Sequence, residues 1–195
     1  MRYILASGSP RRKELLSKVV PQYEVIPAQG EEVTTSSQPS AVVEELSFQK
    51  ASEIFNRIFT NETDRYVVIG ADTVVSYKGK ILGKPKDRED AADMIREFAG
   101  DTHAVYTGVT LFYVDENGKE AHHTFHEKTL VDVAAMTEKE ILDYVATGEP
   151  DDKAGAYGIQ GLFAIFIKGI QGDYYNVMGL PIARLYKEMK SKNLL

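Results

Sequence analysis

The sequence predicts an α/β protein in which helices flank a central mixed β-sheet. Apolar runs typical of strands alternate along the chain with segments whose apolar residues recur at helical spacing. Two-residue turns containing glycine separate several strand-like runs, which is typical of hairpins, so antiparallel pairs should accompany parallel ones. At 195 residues, of which 43% are hydrophobic and 27% charged, we expect a single domain over residues 1–195, or one domain with a cleft between two lobes.

The predicted strands are short runs rich in β-branched and aromatic residues. They cover Tyr3–Ala6, Tyr66–Gly70, Thr73–Tyr77, Val105–Val114, His122–Val133, Phe163–Ile167 and Tyr174–Val177. Hairpin turns are predicted at Lys78-Gly79, Asn117-Gly118 and Gln171-Gly172.

The predicted helices have ends marked by capping residues and prolines. They are expected from Ser9, with Pro10 in the first turn; from Pro39 to about Phe59; from about Asp87 to Gly100; from Thr137, with Glu140 completing a capping box, to Gly148; and after Pro181.

Composition and charge exclude several classes of function. The sequence has no cysteine, which excludes disulfides, thiolate metal sites and cysteine nucleophiles. A net charge of -6 argues against general nucleic-acid binding. No apolar run approaches the ~18 residues of a membrane span, and the first apolar run is too short for a signal peptide. We therefore expect a cytoplasmic protein that binds neither nucleic acid nor membrane.

The first candidate site is the segment Ala6-Ser7-Gly8-Ser9-Pro10-Arg11-Arg12-Lys13. A strand ends there, a glycine follows, and a helix begins at once beside two guanidinium groups. Backbone N–H groups at a helix start and neighbouring arginines are typical of a polyphosphate site. The alternative is a capped helix whose basic residues are solvated.

A second candidate is Asp72, in Gly70-Ala71-Asp72-Thr73. It follows the run Tyr66–Ile69, so we expect it at the carboxyl end of a buried strand, where open α/β sheets place ligand-binding groups. The alternative is an aspartate that forms a turn.

Three further segments offer polar groups in unusual positions. Lys50 lies on the predicted apolar face of the second helix, where it either extends to the rim of the core or meets an anion. Lys84 lies between Gly83 and Pro85, in a segment that could equally be an ordinary loop. Gln160 ends a segment with several glycines, 151–161, which indicates either backbone packed close to a ligand or a flexible hinge.

Together these residues match the requirements of phosphoryl chemistry. Arg11, Arg12, Lys50 and Lys84 could neutralise a polyphosphate, and Asp72 with Glu31 and Glu32 could hold a hard divalent cation through oxygen. The chain shows no Ser–His or Cys–His nucleophile pair, so water should be the attacking species.

With the intervals between them, these motifs resemble the Maf family, nucleoside triphosphate pyrophosphatases once named for septum-formation inhibition. The resemblance runs essentially end to end. It is carried by Ser7-Gly8-Ser9-Pro10-Arg11-Arg12, Glu31-Glu32, Lys50-Ala51, Gly70-Ala71-Asp72-Thr73, Leu82-Gly83-Lys84-Pro85, the segment 152–161, and the segment 172–181, which reads GDYYNVMGLP.

The resemblance implies an elongated α/β fold related to the inosine triphosphatases, with a central mixed sheet, two lobes and a cleft. It also implies a divalent cation, Mg²⁺ or Mn²⁺, a nucleoside triphosphate substrate and often a homodimer. By position, Asp72 would be the catalytic base and, with Glu32, a metal ligand. Ser9, Arg11, Arg12, Lys50, Thr73, Lys84 and Gln160 would bind substrate.

Within the family, the residues matching Arg11, Thr73 and Gln160 accompany the branch that acts on dTTP and UTP. Glu31 stands where many relatives carry Asp, so it is the alternative to Glu32 as metal ligand. Two other functions stay open at this point: a pyrophosphatase for 7-methyl-GTP or damaged purine nucleotides, and a non-catalytic nucleotide sensor that regulates cell division. The acidic residues favour an enzyme, because a sensor needs the basic residues alone.

Overall fold

A computed structural model of the chain describes residues 1–59, 65–115 and 118–195. The strands are β1 (Arg2–Leu5), β2 (Glu24–Val25), β3 (Tyr66–Tyr77), β4 (Lys80–Leu82), β5 (Thr102–Val114), β6 (Glu120–Val133) and β7 (Ile167–Gln171). The α-helices are α1 (Pro10–Leu16), α2 (Pro39–Ile58), α3 (Arg88–Phe98), α4 (Glu138–Ala146), α5 (Tyr174–Met178) and α6 (Ile182–Ser191). Short 3-10 helices cover Glu149–Asp152, Ala154–Ala156 and Leu162–Phe166.

The strands form a mixed sheet in the order β2-β1-β3-β5-β6-β7, with β4 paired to β3. β1 lies parallel to both β2 and β3, whereas β4 is antiparallel to β3 and β7 is antiparallel to β6. The predicted α/β class and mixed sheet are therefore confirmed.

The chain divides into two compact units. The first comprises Met1–Asp72, Thr107–Glu127 and Gly179–Leu195, and the second comprises Thr73–Tyr106 and Lys128–Met178. Since β3, β5 and β6 each supply residues to both units, the boundaries fall inside strands.

The core of the first unit is built where α2 packs on the sheet. Buried residues of α2, among them Ile54 and Phe55, meet apolar residues of β1, β3 and β5. Two glycines allow the close approach: a Cβ added at Gly70 would lie 2.3 Å from the carbonyl oxygen of Ser47, and one at Gly108 would lie 2.2 Å from that of Val43. Any larger residue at either glycine would push the helix off the sheet.

The core of the second unit contains a group of aromatic rings. The ring of Phe163, which is fully buried, lies 5.0 Å from that of Tyr144 and 4.9 Å from that of Tyr157. Tyr157 in turn donates to or accepts from His103, with 2.8 Å between its hydroxyl and Nε2. These contacts join the segment after α4 to the start of β5.

The helix boundaries agree with the capping signals. The side chains of Ser9, Asp87 and Thr137 accept hydrogen bonds from the backbone at the starts of α1, α3 and α4, and Thr137 forms the predicted capping box with Glu140. The Lys78-Gly79 turn is also confirmed, because both residues have positive φ and Tyr77 pairs with Lys80. Asn117, of the second predicted turn, lies outside the described residues.

Two predicted strands are wrong. Most of Phe163–Ile167 is a 3-10 helix, which begins as the Ala164 N–H bonds back to the Gly161 carbonyl. Tyr174–Val177 belongs to α5, because the Asp173 side chain accepts the Tyr175 N–H at 2.8 Å and starts a turn. Gln171-Gly172 therefore leads into a helix, and the hairpin predicted there is also wrong.

One prediction about Asp72 needs correction. The strand does not end before it, because β3 continues to Tyr77 and includes both predicted runs, Tyr66–Gly70 and Thr73–Tyr77. Instead, the parallel partner of β3 ends: β1 pairs with β3 only as far as Leu5, which lies opposite Ile69. Beyond that point the chain of β1 turns away toward α1, which leaves Asp72 three residues past the last pair.

Among the helices formed by the described residues, none combines the length and apolar character needed to cross a membrane.

Candidate active site

The start of α1 is built by two serines. Ser9 caps the helix by accepting the Arg12 N–H at 3.4 Å, and its own N–H donates to the Ser7 side chain at 3.3 Å. Pro10 occupies the first turn, where the missing N–H costs nothing. The loop is thus stiffened locally, and it presents Arg11 and Arg12 in a defined direction.

Arg12 is anchored within the first unit. Its Nε donates to the carbonyl oxygen of Gly179 at 2.9 Å, and its Nη1 donates to Ser7 at 3.3 Å. Burial lowers the pKa of its guanidinium, as does the neighbouring charge of Arg11, whereas the charges of Asp72 and Glu32 raise it. Arg12 therefore lies within electrostatic reach of both predicted metal-binding carboxylates.

Lys50 links those two carboxylates. Its Nζ lies 2.5 Å from an oxygen of Asp72 and 2.8 Å from an oxygen of Glu32. The Lys50 and Asp72 side chains are only 16% and 12% exposed, whereas Glu32 is 56% exposed. Lys50 thus meets anions rather than merely extending to the rim of the core, and those anions are carboxylates of its own unit.

The close packing of α2 explains this geometry. Gly70 lets the helix backbone at Ser47 and Ala51 approach β3, and Asp72 is two residues further along the strand, on the same face. Lys50, immediately before Ala51, is therefore brought to Asp72 by backbone packing.

The loop that carries Glu31 and Glu32 is held by a stripe of polar side chains on α2, which was not predicted from the sequence. Glu53 accepts the N–H groups of Gln29 and Gly30, both at 2.9 Å. Gln49 pairs with both the N–H and the carbonyl of Val33. Glu45 accepts the N–H and hydroxyl of Thr35, both at 2.7 Å. Glu45, Gln49 and Glu53 recur every four residues and so share one face of α2, which is the sequence signal that could have identified them.

These bonds change the acidity of the two glutamates. The backbone N–H of Thr35 lowers the pKa of Glu45, with further contributions from the Thr35 hydroxyl and the Ser36 N–H. The N–H groups of Gln29 and Gly30 lower the pKa of Glu53. Both carboxylates therefore favour the ionised form, which accepts these bonds.

In the second unit, the segments of Lys84 and Gln160 are joined through glycine backbone. The Gly155 N–H donates to the Gly83 carbonyl at 2.9 Å. Gly155 has φ of 68°, which other residues rarely adopt, and a Cβ there would lie 2.6 Å from the Val75 side chain. Both the backbone conformation and the lack of space therefore exclude larger residues. Lys84, next to Gly83, is exposed.

Gln160 lies in a tight turn over Gly158–Gly161, closed by a bond of 3.1 Å from the Gly161 N–H to the Gly158 carbonyl. Residues 155–159 are buried and Gln160 is exposed. Side chains of the same unit lie where a Cβ would stand at three of these glycines: Val75 at Gly155, Lys153 at Gly158 and Glu149 at Gly161. The role of this segment as a ligand-binding backbone or as a hinge stays a prediction.

The predicted site residues thus fall into two groups. The first unit brings together Ser9, Arg11, Arg12, Glu32, Lys50 and Asp72, and the second unit holds Thr73, Lys84 and Gln160. Thr73 directly follows Asp72 on β3. The substrate, catalytic and metal roles assigned to these residues stay predictions.

The donor set of Asp72 and Glu32 fits a divalent cation. Both contact the ammonium group of Lys50, so the two side chains converge on one point. The described residues contain no group of three or more His, Cys, Asp or Glu arranged to hold a metal. Two carboxylates suit Mg²⁺, which completes its shell with water and substrate phosphates.

Comparison with known proteins agrees with these motifs. The chain is 55% identical to a dTTP/UTP pyrophosphatase of Agathobacter rectalis over 195 residues, covering 96% of this chain and 95% of that protein. It is 48% identical to a dTTP/UTP pyrophosphatase of Lachnoclostridium phytofermentans over 187 residues, covering 96% and 93%.

The fold is similar to that of a HAM1 protein from Coxiella burnetii, with a TM-score of 0.54 at 13% identity, covering 98% of this chain and 99% of that one. This likeness concerns the fold alone. The model of the family described as "Maf-like protein" matches residues 2–192. The match spans nearly the whole sequence and includes every motif described above, and the chain therefore belongs to the Maf family.

Proposed function

We propose that this protein hydrolyses nucleoside triphosphates, dTTP and UTP above others, to the monophosphate and pyrophosphate. The observation that carries the proposal is the contact of Lys50 with both Asp72 and Glu32, beside Arg12. It places paired carboxylates and fixed cations in one unit, as phosphoryl transfer requires. The relative from Agathobacter rectalis that shares 55% identity is named for this activity.

In the reaction, water attacks the α-phosphorus. A new P–O bond forms to the water oxygen as the bond between the α-phosphorus and the bridging oxygen breaks, and the electron pair leaves with pyrophosphate. Asp72 orients the water and takes its proton, which passes to solvent. Since a carboxylate is a weak base in water, orientation is its larger contribution.

The cations stabilise the negative charge that develops on the leaving group. Arg12 has its Nε and Nη1 engaged by Gly179 and Ser7, so its guanidinium is held in place before substrate binds and costs little reorganisation. Lys84 and Arg11 would add further charge at the phosphates. Lys50 keeps the two carboxylates facing one point.

A divalent cation, Mg²⁺ or Mn²⁺, would be held by Asp72 and Glu32, with Glu31 as the alternative to Glu32. When bound it would supply charge neutralisation at the phosphate oxygens.

Base selection would fall to Gln160, Thr73 and Arg11. A side-chain amide can donate one hydrogen bond and accept another, and the edge of thymine or uracil offers matching groups. Gln160 is exposed at the end of a buried turn, so its amide is available to a base.

A panel of triphosphates assayed for pyrophosphate release with Mg²⁺ or Mn²⁺ tests this function. We expect turnover of dTTP and UTP to exceed that of CTP, GTP, 7-methyl-GTP and damaged purine nucleotides. Nucleotide binding without any pyrophosphate release would refute the enzyme, and a preference for 7-methyl-GTP would refute the substrate.

The matched pair Asp72→Asn and Asp132→Asn tests the catalytic assignment. Asp72→Asn should lower kcat for dTTP by roughly 10²- to 10⁴-fold, since it removes the group that orients and deprotonates water. Asp132 is also a strand residue with a lysine partner, Lys168 at 3.2 Å, and its replacement should leave kcat unchanged. Near-normal turnover by Asp72→Asn with an intact fold would contradict the assignment.

A further inference from the structure

The turn that carries Gln160 is closed at its base by aromatic packing. Tyr157 and Phe163, which flank it, are both buried and their rings lie 4.9 Å apart. Ile159 is also buried, at 7% exposure. Gln160 is therefore the turn residue whose side chain extends outward, and the orientation of the turn decides where its amide points.

Both ends of this turn are bound by one pair of side chains, Tyr144 and Glu149. The Leu162 N–H, after the turn, donates to a Glu149 carboxylate oxygen at 2.8 Å. The Tyr144 hydroxyl donates to the other oxygen at 2.9 Å and accepts the N–H of Gly158, the first residue of the turn, at 3.4 Å. A continuous chain of hydrogen bonds thus runs from one end of the turn to the other through the tyrosine and the glutamate.

The pair is itself held firmly. Tyr144 is 4% exposed and packs its ring 5.0 Å from Phe163, and burial, followed by the neighbouring Glu149, raises its pKa. The Glu149 backbone carbonyl accepts the Lys153 ammonium at 2.6 Å. The Tyr144 ring and the Glu149 backbone are therefore both held in place.

Gly161 shows that the carboxylate sits directly under the turn. A Cβ at Gly161 would lie 2.3 Å from a Glu149 oxygen, although the backbone there, at φ of -99°, is open to any residue. A side chain at position 161 would therefore have to displace the Glu149 carboxylate.

We propose that Tyr144 and Glu149 are positioning residues that orient Gln160 and thereby set selectivity for the base. The inference rests on the proposed function, because it assigns these residues to base selection at the same site. Neither residue touches substrate. The pair acts through the turn, as a clamp whose loss lets the Gln160 amide adopt several directions and so recognise the pyrimidine edge less well.

Glu149→Gln and Tyr144→Phe test the clamp, with Asp151→Asn as the matched control. Asp151 lies on the same short 3-10 helix as Glu149 and is exposed. In the free protein, hydrogen exchange of the Gly158 and Leu162 amides should accelerate about tenfold in both clamp variants and stay unchanged in the control. Unchanged exchange in both variants would overturn the proposal.

Selectivity is the second readout, and a merely structural role would not move it. The ratio of kcat/KM for dTTP to that for GTP should fall about fivefold to tenfold in each clamp variant, as expected for one misplaced hydrogen bond. A fall by the same factor for both nucleotides would mean general destabilisation and would overturn the proposal.

A double-mutant cycle links the clamp to Gln160. Gln160→Ala should lower the dTTP/GTP ratio, and adding Glu149→Gln to it should change that ratio less than twofold. Independent, multiplying effects would show that Glu149 acts through something other than Gln160.

Gly161→Ala provides a steric version of the same cycle. It should displace the carboxylate and lower the ratio by a similar factor, yet have little further effect in a Glu149→Ala background, where the added methyl group finds space. A full additional effect in that background would contradict the steric argument.

The binding of α,β-imido analogues of dTTP and GTP, measured by titration calorimetry, separates the two hypotheses. If the unmodified protein prefers the dTTP analogue but releases no pyrophosphate, the proposed function fails, and the inference is judged from the affinity ratios of the clamp variants. If the protein shows no preference between the analogues, the inference fails, whatever the turnover.

Discussion

Lowering the pH from about 7.5 to about 5 should destabilise the folded protein, with His103 as the main cause. His103 is 2% exposed. Its Nε2 bonds to the Tyr157 hydroxyl at 2.8 Å, and its ring lies 4.6 Å from that of Phe98. Its Nδ1 has no hydrogen-bond partner among the described residues. Burial lowers the pKa of this imidazole from 6.5 to about 4.

Stability falls with falling pH because the folded protein favours the neutral form of the His103 imidazole. The contribution of the neutral imidazole to the free energy of unfolding is complete above the unfolded pKa of about 6.5. It is lost as the pH falls from there through the folded pKa of about 4. Since each unit of difference between the two pKa values corresponds to about 1.4 kcal/mol, the full titration costs about 3 kcal/mol. About 2 kcal/mol of this should be lost by about pH 5, before most carboxylates titrate.

Urea unfolding followed by circular dichroism at a series of pH values measures this loss. His103→Phe keeps an aromatic ring and removes the titration. Its free energy of unfolding should be lower near neutral pH, because the buried Tyr157 hydroxyl loses its partner and the larger ring must be accommodated in the core. That variant should then change much less between about pH 7.5 and about pH 5. His122→Gln serves as control, because His122 is exposed, and should keep the original dependence.

An unchanged pH dependence in His103→Phe would refute the argument, as would a free energy of unfolding for the original protein that stays constant over this range. Either result would mean that His103 is hydrated or partnered well enough to carry a proton in the fold.

Two further predictions concern the packing and the loop around α2. Gly70→Ala should lower the free energy of unfolding by about 1–3 kcal/mol, because its Cβ would meet the Ser47 carbonyl at 2.3 Å. Thermal or urea unfolding measures this loss. The control is Gly169→Ala, where the added Cβ meets nothing within 4 Å. Equal stability of the two variants would contradict the packing argument. Glu53→Ala should weaken Mn²⁺ binding about tenfold, because it releases the loop that carries Glu32. Calorimetric titration measures the affinity, with Asn56→Ala as control. Unchanged affinity in Glu53→Ala would show that the loop keeps its position without Glu53.

Much of the fold could be predicted because its signals are local. Ser9, Asp87 and Thr137 each cap a helix a few residues away, and the positive φ of Lys78 and Gly79 reflects the turn itself. Where a local pattern was ambiguous, prediction failed. The apolar run Phe163–Ile167 suits a strand or a helix, and the burial of Phe163 among other aromatic rings favours the 3-10 helix.

The candidate site divides in the same way. Its residue types could be identified from motifs, and Asp72, Glu32 and Lys50 do come together. The parts that support them could not be identified: the α2 side chains that hold the loop of Glu32, and the pair of Tyr144 and Glu149. Their partners are separated by several to many residues, and their side chains are of kinds that usually lie in solvent.

The sequence by itself determined the α/β class, the helix starts, the hairpin turn at Lys78-Gly79 and the chemical inventory of the site. Only the tertiary structure decided that β3 runs on past Asp72, that Lys50 reaches two carboxylates, and that the glycine at 161 makes room for Glu149. The physical reason is one of range. Caps and turns depend on dihedral angles and hydrogen bonds within a few residues, whereas these contacts depend on how closely packed backbones approach one another.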